Sequence, residues 1–168
     1  MKKNVSVKKL VYTALMTALV AVAALFIKIP GTMLNLCDSI IFITAYLFGG
    51  IPAMIAGGLG GLLADVISYP ASAGVTLFAH GLEGLICGIL FSIINKKAKF
   101  EFVKSLIAMF VSGAVMVSIY FIGKTFIYGT YESALVSLPR NIIQAAAGTA
   151  AACTVIFTYK IGNKINKK

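Results

Sequence analysis

Six stretches of this chain are nearly free of charge and too apolar for water, and they dictate its solvent. They occupy 10–27, 39–49, 51–67, 74–94, 103–123 and 140–159. Only 12% of the 168 residues are charged and 60% are hydrophobic, whereas a soluble domain carries about 25% charged residues. A chain of this size folded in water would leave much of that apolar surface exposed. It is therefore expected to be an all-α integral membrane protein, a single domain over 1–168, and not a soluble enzyme. The net charge of +10 in a soluble protein would point to a nucleic-acid partner. Here the basic residues sit in short clusters between apolar runs, which is the pattern of membrane topology, so no nucleic-acid partner is expected. No Walker motif occurs, so the chain has no means of hydrolysing ATP itself. Cys37, Cys87 and Cys153 lie in or beside apolar segments and are odd in number, so they read as small core residues and not as a disulfide framework. The first apolar run is about 18 residues long, lacks a cleavage site and is followed by further runs, so it reads as a retained helix and not a signal peptide.

Charge decides the count of spans. The runs at 39–49 and 51–67 are separated only by Gly49-Gly50-Ile51-Pro52 and are either two helices in a tight hairpin or one broken span. Two helices make six transmembrane helices with both termini on one side. That side then holds Lys2, Lys3, Lys8, Lys9, Lys96, Lys97, Lys99, Lys104, Lys160, Lys164, Lys167 and Lys168, and the other keeps Lys28, Lys124 and Arg140. One span instead places the larger share of basic residues outside. The positive-inside rule selects six helices with cytoplasmic termini. Eleven residues of helix rise only about 16 Å against about 30 Å of hydrocarbon, so the second and third helices either start within the flanking loops or tilt in the bundle. The outward loops are then 28–38, 68–73 and 124–139. The first and last mix apolar and polar residues and read either as lids or as an interfacial aromatic belt.

Small residues recur at four-residue spacing: Ala14 and Ala18 on the first helix, Gly57 and Gly61 on the third, Gly84 and Gly88 on the fourth, Ala147 and Ala151 on the sixth. On the last three helices the spacing reads as close packing within the bundle. On the first, the flat face suits either internal packing or a partner subunit.

Charges within a span cost about 2.5–3.5 kcal/mol or more, so those that persist need a reason. His80 and Glu83 stand three residues apart on one face of the fourth helix. They can bind a polar ligand, relay protons, or simply pair with each other. Without a cysteine or second histidine nearby they do not complete a metal site. Asp38 reads as an N-cap. Asp65 falls at a helix C-terminus, where the dipole disfavours it, and needs Lys28, Arg140 or a ligand amine. Arg140, Asn141 and Gln144 cluster at the outer mouth of the sixth helix, where snorkelling and helix–helix hydrogen bonding are the plainer roles. All these groups lie in the outward half, and the inward half shows only groups such as Thr44, Tyr46, Ser112 and Ser118. A polar cluster open to one side fits a small-molecule pocket, not a channel.

The strings Leu36-Cys37-Asp38-Ser39-Ile40-Ile41-Phe42-Ile43-Thr44-Ala45, Leu47-Phe48-Gly49-Gly50, Gly57-Gly58-Leu59-Gly60-Gly61-Leu62-Leu63-Ala64-Asp65 and His80-Gly81-Leu82-Glu83-Gly84-Leu85-Ile86-Cys87-Gly88 resemble the S components of energy-coupling factor (ECF) transporters. The resemblance is strongest to the branch of riboflavin-type and vitamin-precursor S components, and it covers nearly the whole chain. It implies a six-helix subunit that captures a vitamin or precursor near the outer face. It also implies docking on one transmembrane coupling subunit and two cytoplasmic ATPases, through the face of Ala14 and Ala18. By the same resemblance Asn35, His80, Glu83, Asn141 and Gln144 are candidate contacts. Tryptophan is absent, so any stacking falls to Tyr69, Tyr120 or Tyr128. Asp65 and Arg140 join the set from their position.

The expected function is ligand capture without catalysis, cofactor or metal. Glu83 and His80 would bind a protonatable heteroaromatic ring, and Asn141 and Gln144 its substituents. Pyridoxine, pyridoxamine or hydroxymethylpyrimidine is favoured over riboflavin. A stand-alone proton- or ion-coupled carrier and a ligand-free assembly subunit are the alternatives.

Overall fold

The computed structural model of the protein describes residues 7–27, 35–94, 100–128 and 131–165. Among the described residues it contains six α-helices and no strand: α1 (Val7–Phe26), α2 (Cys37–Phe48), α3 (Gly50–Ser68), α4 (Ala73–Ile93), α5 (Glu101–Tyr128) and α6 (Tyr131–Ile165), with a 3₁₀ turn at Pro70–Ser72 leading into α4. The burial pattern is inverted relative to a soluble protein. Asp38, His80 and Glu83 are buried, while Phe26, Phe126 and Val136 are each more than three-quarters exposed. In water that arrangement would expose apolar surface and desolvate charge at the same time, whereas lipid accommodates the outer face.

α1, α3, α4 with its leading turn, α5 and α6 are long and apolar enough to cross a membrane. Consecutive helices alternate in direction, which gives the bundle two distinct ends. At one end the Tyr12 ring of α1 stacks on Phe48 at the close of α2, their centroids 5.3 Å apart. At that end also, Lys160 of α6 forms an ion pair with Glu101 of α5, and the Tyr46 hydroxyl donates to the same carboxylate at 3.1 Å. The opposite end gathers the close of α3, the start of α4, the last turns of α5 and the first turns of α6.

The hairpin between α2 and α3 is the tighter of the two expected possibilities. One residue, Gly49, separates the helices, at φ +88°, a conformation that strains any residue with a Cβ. α3 reaches 19 residues by taking in Gly50 and Ser68, and this is enough to span. α2 has 12 residues and rises about 18 Å. It does not need to span alone, because α1, α3, α4 and α6 surround it, and Ile41 and Phe42 are fully buried.

α3 and α4 pack through glycines, as expected. A Cβ on Gly88 would lie 2.2 Å from the backbone of Gly50, and one on Gly84 2.5 Å from the Ala53 carbonyl oxygen. On α6 the expected face is displaced. Ala145, Gly148 and Ala152 are the buried small residues, while Ala147 and Ala151 are half-buried. The outward loop expected at 124–139 is also corrected, since α5 continues to Tyr128 and α6 starts at Tyr131. Lys124, Thr125, Glu132 and Ser133 end the apolar runs without ending the helices, because their side chains leave the backbone bonding of a helix intact. Pro139 lies inside α6 and there removes the bond to the Leu135 carbonyl. The group of Tyr46, Glu101 and Lys160 makes the half expected to face inward more polar than the apolar runs indicated.

Candidate ligand-binding site

The end opposite the Lys160–Glu101 pair holds a cavity of about 250 Å³ lined by Ala24, Asp65, Ser68, Tyr69, Ser72, Tyr120, Lys124, Arg140, Asn141 and Gln144. Four helices and the 3₁₀ turn contribute to it, plus Tyr69 between them. α3 contributes Asp65 and Ser68 from its last turn, and α5 brings Tyr120 and Lys124, one helical turn apart. α6 brings Arg140, Asn141 and Gln144 beside Pro139, the point at which its backbone bonding is interrupted. Of the residues named from sequence, Asp65, Tyr69, Tyr120, Arg140, Asn141 and Gln144 are thus brought together on one cavity wall. Ser68, Ser72 and Lys124 were missed. For Lys124 a signal existed: it is a cation one turn beyond Tyr120 at the end of an apolar run.

The walls are tied by direct bonds. The Thr76 hydroxyl donates to Asp65 Oδ2 and lies 2.7 Å from the Tyr120 hydroxyl. Thr76 therefore joins the end of α3 to α4 and α5, and it supplies the partner that Asp65 requires at a helix C-terminus. Lys124 Nζ sits 5.7 Å from the centroid of the Tyr120 ring, within cation–π range. Among the described residues neither Lys124 nor Arg140 has a carboxylate at ion-pair distance. Asn141 is 7% exposed, and its amide Nδ2 has no hydrogen-bond partner. A buried donor left unpaired costs about 1–3 kcal/mol, and here it belongs to a residue on the cavity wall.

His80 and Glu83 are placed differently from the expectation that they face the cavity. Neither is among its lining residues, and both are buried beneath it, with His80 Nδ1 2.9 Å from Glu83 Oε2. The reason is rotational. The α4 face that carries them also carries Thr76 and Gly84 and is pressed against α3, where Gly57 and Gly61 make room for the His80 backbone and ring. The imidazole stands edge-on to Tyr120, centroids 5.6 Å apart, and that tyrosine closes the cavity above it.

Asp38 is not an N-cap. α2 starts at Cys37 with Leu36 in the capping position, and no side chain caps it. Asp38 instead points into the bundle, where Gln144 Nε2 donates to its Oδ1 at 3.1 Å and His80 Nδ1 approaches the same oxygen at 3.6 Å. Asn35 belongs to this network and not to the cavity wall: its Nδ2 donates to Gln144 Oε1 at 3.4 Å and its Oδ1 accepts the Cys37 backbone N–H at 2.9 Å. Gln144 is the link, since it borders the cavity and bonds to Asn35 and Asp38 below it. Cys37 also lies close to His80, 3.8 Å from its Nε2, a neighbour 43 residues away in sequence that the expectation of no cysteine near His80 did not foresee. Cys37, Cys87 and Cys153 are free and buried, as expected. Ala14 and Ala18 are exposed on the outer face of α1. The proposed lid residues 28–34 and the Tyr128 side chain lie outside the described residues.

Comparison with known proteins agrees with this architecture. The chain matches the family described as ECF-type riboflavin transporter, S component, over residues 4–161. A Pyrococcus woesei protein, described as an uncharacterized protein in gap 3'region, is 35% identical over 133 residues, which covers 77% of this chain and 86% of that one. An all-helical bundle with an apolar exterior and a family match over nearly its whole length identify the chain as a multi-pass cell-membrane protein belonging to the ECF transporter S-component family.

Proposed function

We propose that this protein is the capture subunit for a vitamin or vitamin precursor, held in the 250 Å³ cavity at the outer face, and that partner subunits drive its uptake. The observation that carries this reading is the unpaired amide of Asn141 on the cavity wall, a donor that a bound polar ligand would satisfy. Family membership implies a vitamin-type substrate, a transmembrane coupling component and ATPase components.

The volume favours a small ligand. Pockets for drug-sized molecules run to about 300–1,000 Å³, so a single ring of the pyridoxine, pyridoxamine or hydroxymethylpyrimidine kind fits better than riboflavin. Tyr69 and Tyr120 offer aromatic faces for the ring, and Asp65, Arg140, Asn141 and Gln144 offer hydrogen bonds to its substituents. His80, Glu83 and Asn35 act from below, by fixing Asp38 and Gln144. The six-span topology with cytoplasmic termini places the cavity outside. It also places Lys8, Lys9, Lys104 and Lys160 inside, in accord with the positive-inside rule. The exposed face of Ala14 and Ala18 is the docking surface for the coupling subunit.

The test is native mass spectrometry of the purified protein for a retained small molecule, followed by calorimetric titration of pyridoxine, hydroxymethylpyrimidine and riboflavin. Saturable binding of one of them, weakened about tenfold in Asn141→Ala, supports the proposal. Binding of none, with no retained molecule, overturns it. Uptake into vesicles that lack ATPase partners would instead favour a stand-alone carrier.

A further inference from the structure

Below the cavity, Cys37, Asp38 and His80 bring a thiol, a carboxylate and an imidazole together, with their ligating atoms within 4.8 Å of one another and all three side chains buried. From this geometry we propose a binding site for one zinc-class divalent cation, held by Cys37 Sγ, Asp38 and His80 Nε2. A tetrahedral ion about 2.3 Å from sulfur and about 2.0 Å from nitrogen or oxygen sets those atoms about 3.5 Å apart. Here Sγ lies 3.8 Å from His80 Nε2 and 3.2 Å from Asp38 Oδ1, so two of the three donor pairs already stand near that spacing.

The second layer supports the same site. His80 Nδ1 is 2.9 Å from Glu83 Oε2, leaving Nε2 to face the thiol. A carboxylate that takes the far N–H of a ligating histidine fixes its tautomer and raises its basicity. The charge balance points the same way. Asp38 and Glu83 are fully buried, and among the described residues no lysine or arginine lies within ion-pair distance of either. Asp38 Oδ2 and Glu83 Oε1 have no hydrogen-bond partner. Two carboxylates and a thiol around a single imidazole lack positive charge, and a divalent ion supplies it. On binding, Cys37 gives up its proton to the medium and the thiolate bonds to the ion. Mixed sulfur, nitrogen and oxygen donors suit zinc or cobalt and not magnesium or calcium. Gln144, whose Nε2 is 4.0 Å from Sγ, separates the ion from the cavity by one side chain.

The experiment uses untagged full-length protein in detergent: zinc is first measured by mass spectrometry on the purified protein, the ion is then stripped with chelator, and cobalt(II) is added to the stripped protein as a spectroscopic probe. One equivalent of zinc per chain and a thiolate-to-cobalt charge-transfer band are expected. Cys37→Ser should abolish the band, while Cys87→Ser and Cys153→Ser keep it. Glu83→Gln should weaken cobalt binding by about 10–100-fold. Less than a tenth of an equivalent of zinc together with no cobalt band in the wild-type protein overturns the site, and that reading does not depend on how any variant folds. A band that survives in Cys37→Ser overturns it as well.

Discussion

Asn141 and Arg140 are adjacent in sequence, and the contrast between them separates recognition from topology. Asn141 is buried with an unpaired donor on the cavity wall, while Arg140 is half-buried on the same wall. Asn141→Ala removes the donor that the proposed ligand would satisfy and is expected to weaken ligand binding about tenfold, the equivalent of one net hydrogen bond of about 1.4 kcal/mol; titration calorimetry checks it. At the other end, Lys160→Ala leaves the Glu101 carboxylate, 7% exposed, without its ion-pair partner. A loss of about 1–3 kcal/mol in unfolding stability is expected, measured by denaturant titration in micelles, with ligand affinity unchanged. These residues were legible in unequal degree. The cluster of Arg140, Asn141 and Gln144 could be read because it interrupts an apolar run. Asp38 was misassigned because an aspartate ahead of a helical run has the signature of a cap, and only its neighbours on α4 and α6 show that it points inward.

For the helices, the clearest case is the seam between α3 and α4. Gly88 meets the Gly50 backbone at a distance no Cβ tolerates, while a Cβ on Gly74 would meet nothing within 4 Å. Gly88→Ala is therefore expected to destabilise the bundle by at least about 2 kcal/mol, since overpacking forces the backbones apart. Gly74→Ala should be neutral or slightly stabilising because alanine has the better helix propensity. Thermal unfolding of the two proteins side by side checks both. α1 gives the opposite kind of element: it is held to α3 where Val20 packs over Gly60, and it leaves Ala14 and Ala18 open. Replacing both with leucine is expected to abolish ATP-driven uptake while leaving ligand affinity within twofold. Loss of binding in the purified double variant would show that the face serves the bundle itself.

Taken whole, the molecule is polarised, with an ion-paired end at Glu101 and Lys160 and a cavity end at Asp65, Arg140 and Asn141. The charge distribution sets which end faces the cytoplasm. A reporter fused after Lys168 should be active only on the cytoplasmic side, and a cysteine introduced at Ile27 should react with an impermeant thiol reagent added from outside. Labelling of Ile27→Cys only after permeabilisation would invert the topology and place the cavity inside.

Hydropathy and the distribution of lysines sufficed to establish a helical membrane bundle, because the cost of charge and of unpaired backbone in hydrocarbon acts on each segment independently of the others. The extension of α5 and α6 through 124–139 was hidden because apolarity reports the depth of the membrane and not the length of the helix. Which face of each helix looks inward depends on rotation about its own axis, and that is set by close packing against neighbours far away in the chain. For this reason the joining of Cys37 to His80, the withdrawal of His80 and Glu83 beneath the cavity, and the inward turn of Asp38 emerge only once the helices are assembled.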